Sequence, residues 1–285
     1  MGTQFWWFYD VLFLSIAMGI LYHALWNGFR KEVLKTVGLA LTITATFAVA
    51  CFLSTPVYQT LFQEKITTTL QNALESEDFD IFETASESLA LNATEGEETP
   101  DADGLRNIAE KIIAGEECPE WFIDSMGNAT ELLISRYVKP HSEKTLVQCF
   151  AGNIPAFQVF LQICETSPQD GAQILEALYY RQSYHKLVIM VLFLLLLLIM
   201  WVIISVIASM IEYEESPKPI TGKSRIWAIP LGLTEAIGGL VMITVIIRLI
   251  VALTDGQMLL FNQETMNHTI IFRFVYRFIV KCLAI

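Results

Sequence analysis

Two ionisable residues stand inside long apolar segments, where charged side chains are rare and costly. Glu235 lies nine residues into one segment, and His23 lies at a comparable depth in another that runs the opposite way. A Glu235–His23 pair would neutralise both charges and is suited to relaying protons or orienting a polar ligand. Ser15, Gly19, His23 and Asn27 recur every four residues and share one helix face. The sequence thus predicts an intramembrane polar site with Glu235, His23, Ser15 and Asn27 as its candidate members.

Ordinary packing between helices is the alternative interpretation of the same residues. Serine, histidine and asparagine side chains also hydrogen-bond across helix contacts inside membranes, without any further chemistry. Beside Glu235, a row of small residues permits the close approach of a second helix. The row consists of Ala228, Gly232 and Ala236. It favours packing and carries no catalytic signal.

Four segments are long and apolar enough to hold these residues inside a membrane. The clearest, Leu187–Ile211, carries no charge. As a helix it reaches roughly 37 Å, which exceeds a hydrocarbon thickness of about 30 Å. The predicted spans are Tyr9–Asn27, Val37–Thr55, Leu187–Ile211 and Ile226–Leu253. The fold class predicted is therefore an all-α integral membrane protein with four transmembrane helices.

Charge predicts how these spans are oriented. The net charge is −12, and the stretch from Ser54 to His185 holds 22 acidic and 7 basic residues. Each of the two short loops before the second and fourth spans holds three basic residues, which favour the cytoplasm. The N-terminus, the C-terminus and the segment 56–186 are therefore predicted to be extracytoplasmic. The acidic excess indicates a solvated surface and argues against nucleic acid as a partner.

These boundaries divide the chain into four parts. Residues 1–55 and 187–255 form two transmembrane hairpins, 56–186 an extracytoplasmic helical insert between spans 2 and 3, and 256–285 an amphipathic C-terminal helix. The predicted insert helices are Val57–Glu75, Leu105–Ala114, Pro119–Tyr137, Glu143–Phe150 and Ala156–Cys164. Glu75–Asp103 is acidic and is predicted to be a linker. Short helices and this linker argue against independent folding of the insert.

The C-terminal stretch has the pattern of a helix lying in the membrane interface. Arg273, Arg277 and Lys281 form a basic row at four-residue spacing, and apolar residues including Phe274 and Phe278 cover the other side. Such a helix buries its apolar face at the lipid boundary and turns its basic row toward anionic headgroups. The three basic residues are therefore candidate lipid contacts. Packing of this helix on the insert is the alternative.

Motifs of known catalytic or cofactor sites do not occur in the sequence. It contains no GxSxG, P-loop, HExxH or dinucleotide fingerprint. Its five cysteines show no metal-ligand spacing, and the three in the insert permit at most one disulfide among them. They are Cys51, Cys118, Cys149, Cys164 and Cys282. We therefore expect a non-enzymatic protein without a metal or cofactor.

Two stretches resemble the colicin V production protein (CvpA) family. The first is the predicted N-terminal hairpin, with Asp10 near its start and the tripeptides 28–30 (GFR) and 32–34 (EVL) in its turn. The second is SRIWAIPLGLTEAIGGLVMITVIIRLI, which is similar to the last span of that family and is followed here by the amphipathic tail. The chain departs from the family in carrying Glu235-Ala236 where members carry Arg-Gly. Its insert is also much longer.

The resemblance implies a bacterial cytoplasmic-membrane protein that supports the production or export of a peptide toxin and the integrity of the cell envelope. On this interpretation, membrane lipids and other envelope or export proteins are the partners, and a homo-oligomer is compatible with it. The competing hypothesis is a small oligomeric transporter or channel subunit with a polar path through Glu235 and His23. The two differ in whether these residues meet in a water-accessible cavity or in a tight helix contact.

Overall fold

The computed structural model describes residues 6–27, 29–76, 79–92, 99–139, 141, 144–164, 166–214, 222–254 and 263–283. Throughout these residues, every regular element is a helix. The helices are α1 (Trp6–Asn27), α2 (Phe29–Tyr58), α3 (Glu64–Leu74), α4 (Ile81–Asn92), α5 (Ala102–Ile113), α6 (Glu120–Ser135), α7 (Leu146–Ala151), α8 (Ile154–Ile163), α9 (Pro168–Leu175), α10 (Arg181–Glu214), α11 (Gly222–Thr254), α12 (Gln263–His268) and α13 (Phe272–Leu283).

Among the residues that the structure describes, four helical stretches are long and apolar enough to cross a membrane. They are Trp7–Leu25, Lys35–Leu74, Pro168–Ile204 and Ile226–Thr254. Over the described residues, the predictions of an all-α fold and of four helices long and apolar enough to span a membrane are therefore confirmed. The second and third stretches extend beyond the predicted spans because α2 continues through Pro56 and α10 is preceded by α9. A π-helical turn joins the helices in each case, at Gln59–Gln63 and at Glu176–Tyr180.

The chain divides into two compact units. The first comprises Met1–Thr55 with Lys186–Ile285, and the second comprises Pro56–His185. We call them the membrane unit and the insert unit. In the membrane unit, α2, α10 and α11 share an apolar cluster that includes Ala50, Phe193 and Val245. The rings of Phe47 and Phe193 meet edge to face with their centroids 6.0 Å apart, a favourable aromatic geometry.

A second cluster in the membrane unit joins α1, α11, α12 and α13. Its buried members are Tyr9, Ile247, Val251, Met266, Phe272 and Tyr276. Outside these clusters, large apolar side chains such as Leu198 and Ile237 are more than half exposed. Exposed apolar side chains of this kind suit a surface that contacts lipid.

The insert unit has an extensive apolar core of its own. Phe150 lies at its centre, with ring centroids 4.8 Å from Phe157 and 5.4 Å from Phe160. Helices α6 and α7 approach closely at Gly127, where a Cβ would lie 2.7 Å from Val147 Cγ2. A larger residue at this position would therefore force the two helices apart.

The predicted linker Glu75–Asp103 is partly wrong, because it contains helix α4. The Asp80 carboxylate accepts hydrogen bonds from the backbone amides of Phe82 and Glu83 at 2.9 and 3.0 Å, which caps the helix. Ile81, Phe82 and Ala85 are buried in the core. This burial offsets the acidic composition that suggested a linker. The five helices that were predicted in the insert correspond to α3, α5, α6, α7 and α8.

Buried tyrosines bind carboxylates and carbonyls in the insert unit. The Tyr58 hydroxyl donates to Glu176 at 2.5 Å, which joins the end of α2 to the second π-helical turn. The Tyr179 hydroxyl donates to Glu131 at 2.7 Å. The other oxygen of Glu131 accepts the backbone amide of Leu146 at 2.8 Å. Because buried polar groups are costly without partners, these bonds fix the arrangement of the helices that carry them.

Candidate functional site

Helices α1 and α11 pack closely, and this contact carries the predicted polar residues. A Cβ on Gly232 would lie 2.6 Å from the Ala24 Cβ and 3.8 Å from the Leu21 Cα, so no side chain fits there. Ala228 and Ala236, one turn to either side of Gly232, are also buried. The row of small residues therefore does what its pattern predicts, which is to bring two helices together.

The register of the contact sets the levels of Glu235 and His23. Gly232 meets Ala24 and Gly239 meets Ile20, so the two helices are antiparallel. Glu235 lies between these two contacts and is therefore level with residues 20–24 of α1. Its side chain is half-buried, whereas His23 is exposed. The two residues lie at one depth, beside a tight helix contact.

Ser15 and Gly19 of the predicted polar stripe point away from α11. Ser15 and Gly19 are exposed, and no atom lies within 4 Å of the position of a Cβ on Gly19. Ser15 is nine residues before Ala24, which places it half a turn around the helix from the residue that contacts Gly232. The structure therefore does not bring Ser15 to Glu235 within one chain. Asn27 ends α1, and its side chain lies outside the described residues.

Asp10 has a role that the sequence reasoning missed. Its buried carboxylate accepts hydrogen bonds from the backbone amides of Ile270 at 2.8 Å, Ile271 at 3.0 Å and Phe272 at 2.8 Å. Amides at the start of a helix have no partner within the helix, and a negative charge is favourable there. We call this arrangement the Asp10 cap. The sequence contains a sign that α13 needs a cap from elsewhere in the chain. The residues immediately before this helix are isoleucines, whose side chains cannot cap it.

Ring contacts and a polar contact hold α13 beside the Asp10 cap. Tyr9 stacks on Phe272 with ring centroids 5.2 Å apart and an interplanar angle of 15°. The Arg248 guanidinium, near the end of α11, lies 3.4 Å from the Tyr276 hydroxyl. The start of α1, the end of α11 and the start of α13 therefore lie at the same end of the membrane unit.

The outer surface of α13 combines aromatic and basic side chains. Phe274 and Phe278 are 63% and 68% exposed, and Arg277 and Lys281 are also exposed. Arg277 donates to the Asn267 side chain at 3.0 Å. Arg273 is half-buried, lies 4.8 Å from the Phe274 ring centroid and has a buried Nε without a hydrogen-bond partner in the described part of the chain. Two of the three predicted lipid-contact residues are thus fully presented at the surface.

Cys118 and Cys149 of the insert unit are free thiols. Cys118 and Cys149 are partly buried, and burial raises the pKa of both thiols. A raised pKa lowers the thiolate fraction at neutral pH and with it the nucleophilicity of the sulfur. Cys51 of the membrane unit is also a free thiol, and the Cys164 thiol donates to the carbonyl of Leu161 at 3.5 Å. Within the described ranges, no group of three or more His, Cys, Asp or Glu residues is arranged to hold a metal ion.

No family model, curated protein or solved structure matches the chain. Its class therefore follows from its own structure: an all-helical protein with four helices able to span a membrane.

Proposed function

We propose that this chain is a CvpA-like membrane protein of the bacterial cytoplasmic membrane. It acts without catalysis as a scaffold that supports peptide-toxin production or export and the integrity of the envelope. In this proposal the insert unit is extracytoplasmic and binds envelope or export proteins, and α13 lies on anionic lipid. Both termini are extracytoplasmic as well.

The observation that carries the proposal is the way in which the two resembling stretches pack together. The first and last spans, α1 and α11, are about 200 residues apart in the chain, yet they are in direct contact through Gly232 and Ala24. The Asp10 cap then joins one feature of the resemblance, the acid at the start of the first helix, to another, the amphipathic tail. The long segment that departs from the family forms the separate insert unit.

The helix geometry favours this proposal over a transport path. A path along α1 would require its polar residues to face the half-buried Glu235 on α11. Ser15 and Gly19 instead lie on the opposite side of α1, and the α1–α11 contact is closed by Gly232 against Ala24. The geometry of Glu235 and His23 therefore fits polar packing within a helix pair.

Complementation in the native host tests the proposal. We expect deletion of the gene to lower toxin export and to sensitise cells to membrane-disrupting detergents, and the wild-type gene to restore both. Glu235→Gln should also restore both, because a neutral amide of similar size preserves helix packing while removing any proton-carrying role.

The abundance of each variant in membranes must be measured alongside the phenotype. A Glu235→Gln protein at normal abundance that fails to complement would support the transporter hypothesis and contradict the scaffold. A deletion strain with normal export and a normal envelope would contradict the proposed function itself.

A further inference from the structure

Arg273, in the first turn of α13, is a half-buried cation whose charge is poorly matched within the chain. Its guanidinium carbon lies 4.8 Å from the centroid of the Phe274 ring, and its Nε is buried without a hydrogen-bond partner among the described residues. In that same part of the chain Arg273 forms no ion pair. Because a buried N–H of a charged group is costly without an acceptor, this arrangement favours an additional anion.

The Asp10 carboxylate lies at this end of α13 but is already occupied. One of its oxygens accepts the backbone amides of Ile271 and Phe272, and the other accepts the amide of Ile270. The N-terminal end of a helix carries a partial positive charge, so a cation in the first turn is unfavourable and a further anion is favourable there. Asp10 thus stabilises the end of the helix and leaves the charge of Arg273 to another acceptor.

Arg277 places a second guanidinium one helical turn after Arg273. It is exposed, and its partner is a neutral oxygen, the side-chain oxygen of Asn267 at 3.0 Å. Residues four apart on a helix are neighbours on its surface, so two such guanidinium groups can bind one phosphate through several charge-assisted hydrogen bonds. The pair therefore has the composition and spacing of a phosphate site.

The position of α13 favours a phosphate that belongs to a lipid. Phe272 and Tyr276 pack this helix where α1 begins and α11 ends, and both of these helices are candidate membrane spans. In a membrane, the ends of spanning helices lie at the level of the lipid headgroups. Phe274 and Phe278 are exposed, as suits side chains that reach the acyl boundary. An acidic protein segment would match the charge but would leave these two rings without apolar surroundings.

We propose that Arg273 and Arg277 form a discrete site for the phosphate of one anionic lipid, whose acyl chains lie beside Phe274 and Phe278. The inference rests on the proposed contact of α13 with anionic lipid and adds a defined headgroup position with one lipid per chain. Arg273 supplies the half-buried guanidinium and Arg277 the exposed one. Such a site depends on the planar fork of arginine, whereas a diffuse attraction depends only on the number of positive charges.

Arg273→Lys is the variant that tests the site, because lysine keeps the charge but lacks the planar fork. Arg277→Lys makes the same change at the exposed arm of the site. Arg136→Lys, at an exposed position in the insert unit, is the matched control. Each full-length protein is purified in a neutral detergent, and circular dichroism checks its folding.

Dioleoylphosphatidylglycerol is then titrated into each protein, and native mass spectrometry counts the lipids bound per chain. Dioleoylphosphatidylcholine is the reference lipid, because it carries the same phosphodiester without a net charge. Glycerol phosphate is added in a separate series to test whether a soluble phosphate competes for the site.

We expect the wild type and Arg136→Lys to bind one phosphatidylglycerol per chain with equal affinity and to prefer it to phosphatidylcholine. Arg273→Lys and Arg277→Lys should each weaken this binding about tenfold, because the fork is lost while the charge remains. Equal affinity of all the folded proteins would overturn the discrete site and leave the broader contact of α13 with anionic lipid intact.

Two further results would also contradict the site. Displacement of the lipid by an equal concentration of glycerol phosphate would show that the two arginines bind a soluble phosphate. A wild type without a preference for phosphatidylglycerol would overturn both the site and the lipid contact in the proposed function.

Discussion

Asp10 shows how one side chain can complete a helix that lies 260 residues away in the chain. Helix α5 is capped locally by Asp101, which accepts the amide of Gly104 at 2.8 Å. Helix α13 has no such residue next to it, because the hydroxyl of Thr269 donates to the carbonyl of Met266. The Asp10 carboxylate, on α1, caps α13 instead. Hydrogen bonds to a charged acceptor are worth about 1.5–3 kcal/mol each, so the Asp10 cap contributes substantially to the stability of α13.

Asp10→Asn should loosen the start of α13 without unfolding the protein. The amide is nearly the same size, but it carries no negative charge and has a single acceptor oxygen. We expect the amides of residues 270–273 to exchange with deuterium about tenfold faster, which corresponds to roughly 1.4 kcal/mol. Hydrogen exchange with mass spectrometry on the reconstituted protein measures the change.

The matched control for this change is Asp103→Asn. Asp103 is an exposed residue in the first turn of α5 and lies 3.4 Å from Arg106, within the insert unit. Its substitution should leave exchange in α13 unchanged. Equal protection of α13 in the Asp10→Asn protein and the wild type would mean that the carboxylate does not stabilise this helix.

The residue pattern of α13 predicts two faces, one apolar and one basic. In the structure the apolar face is divided again, into a buried part and an exposed part. Phe272 and Tyr276 are buried against α1 and α11, whereas Phe274 and Phe278 are exposed beside Arg277 and Lys281. One part of the apolar face therefore packs inside the membrane unit, and the other part is exposed at its surface. Its exposed part has the aromatic and basic composition of a helix at a lipid interface.

The double substitution Arg277→Gln with Lys281→Gln should reduce the preference of the protein for anionic lipid. Each basic residue near an anionic surface contributes about 1 kcal/mol, so for the two together we expect the selectivity for spin-labelled phosphatidylglycerol over phosphatidylcholine to fall about 30-fold. Electron paramagnetic resonance on the reconstituted protein measures the lipid held at its surface. The wild-type preference should also weaken as salt is added.

Arg136→Gln with Lys139→Gln provides the control for net charge. Both residues are exposed in the insert unit, and the pair removes the same two charges from the protein. Lipid selectivity should remain at the wild-type value. If both double variants lost selectivity equally, the effect would belong to total charge and the assignment of α13 to the lipid surface would be wrong.

The insert unit is large enough, and its core extensive enough, to be a domain. Its 130 residues from Pro56 to His185 surround a cluster that includes Phe122, Phe150 and Phe160. Chains of about 60 residues already fold alone in many cases, and burial per residue rises with size. The structure thus favours independent folding, against the expectation from short helices and an acidic linker.

The fragment 56–185 should therefore be soluble, helical and cooperative in thermal unfolding. Within it, Phe157→Ala should lower the free energy of unfolding by about 3–5 kcal/mol, because the fully buried ring contacts two other rings. Leu91→Ala should change it by less than about 0.5 kcal/mol, since Leu91 is 86% exposed. Circular dichroism during heating measures both. A fragment without a cooperative transition would show that its core needs the rest of the chain.

The sequence by itself determined the properties that depend on composition and periodicity. Long uncharged stretches predict helices that span a membrane, because backbone polar groups in lipid must bond within the segment. Most helices of the insert unit also follow from their apolar spacing. Helix α4 did not, because its acidic sequence conceals the few apolar residues, among them Phe82, that the core buries.

Only the tertiary structure decided which faces of these helices meet. Gly19 and Gly232 carry the same local signal, a small residue at four-residue spacing, yet one is open and the other is filled by Ala24. Similarly, nothing near Asp10 in the sequence indicates that it caps α13. Periodicity describes one helix at a time, whereas a contact depends on which helix lies opposite and in which register. That choice is made by the packing of the whole membrane unit, which brings residues 10 and 270 within hydrogen-bonding distance.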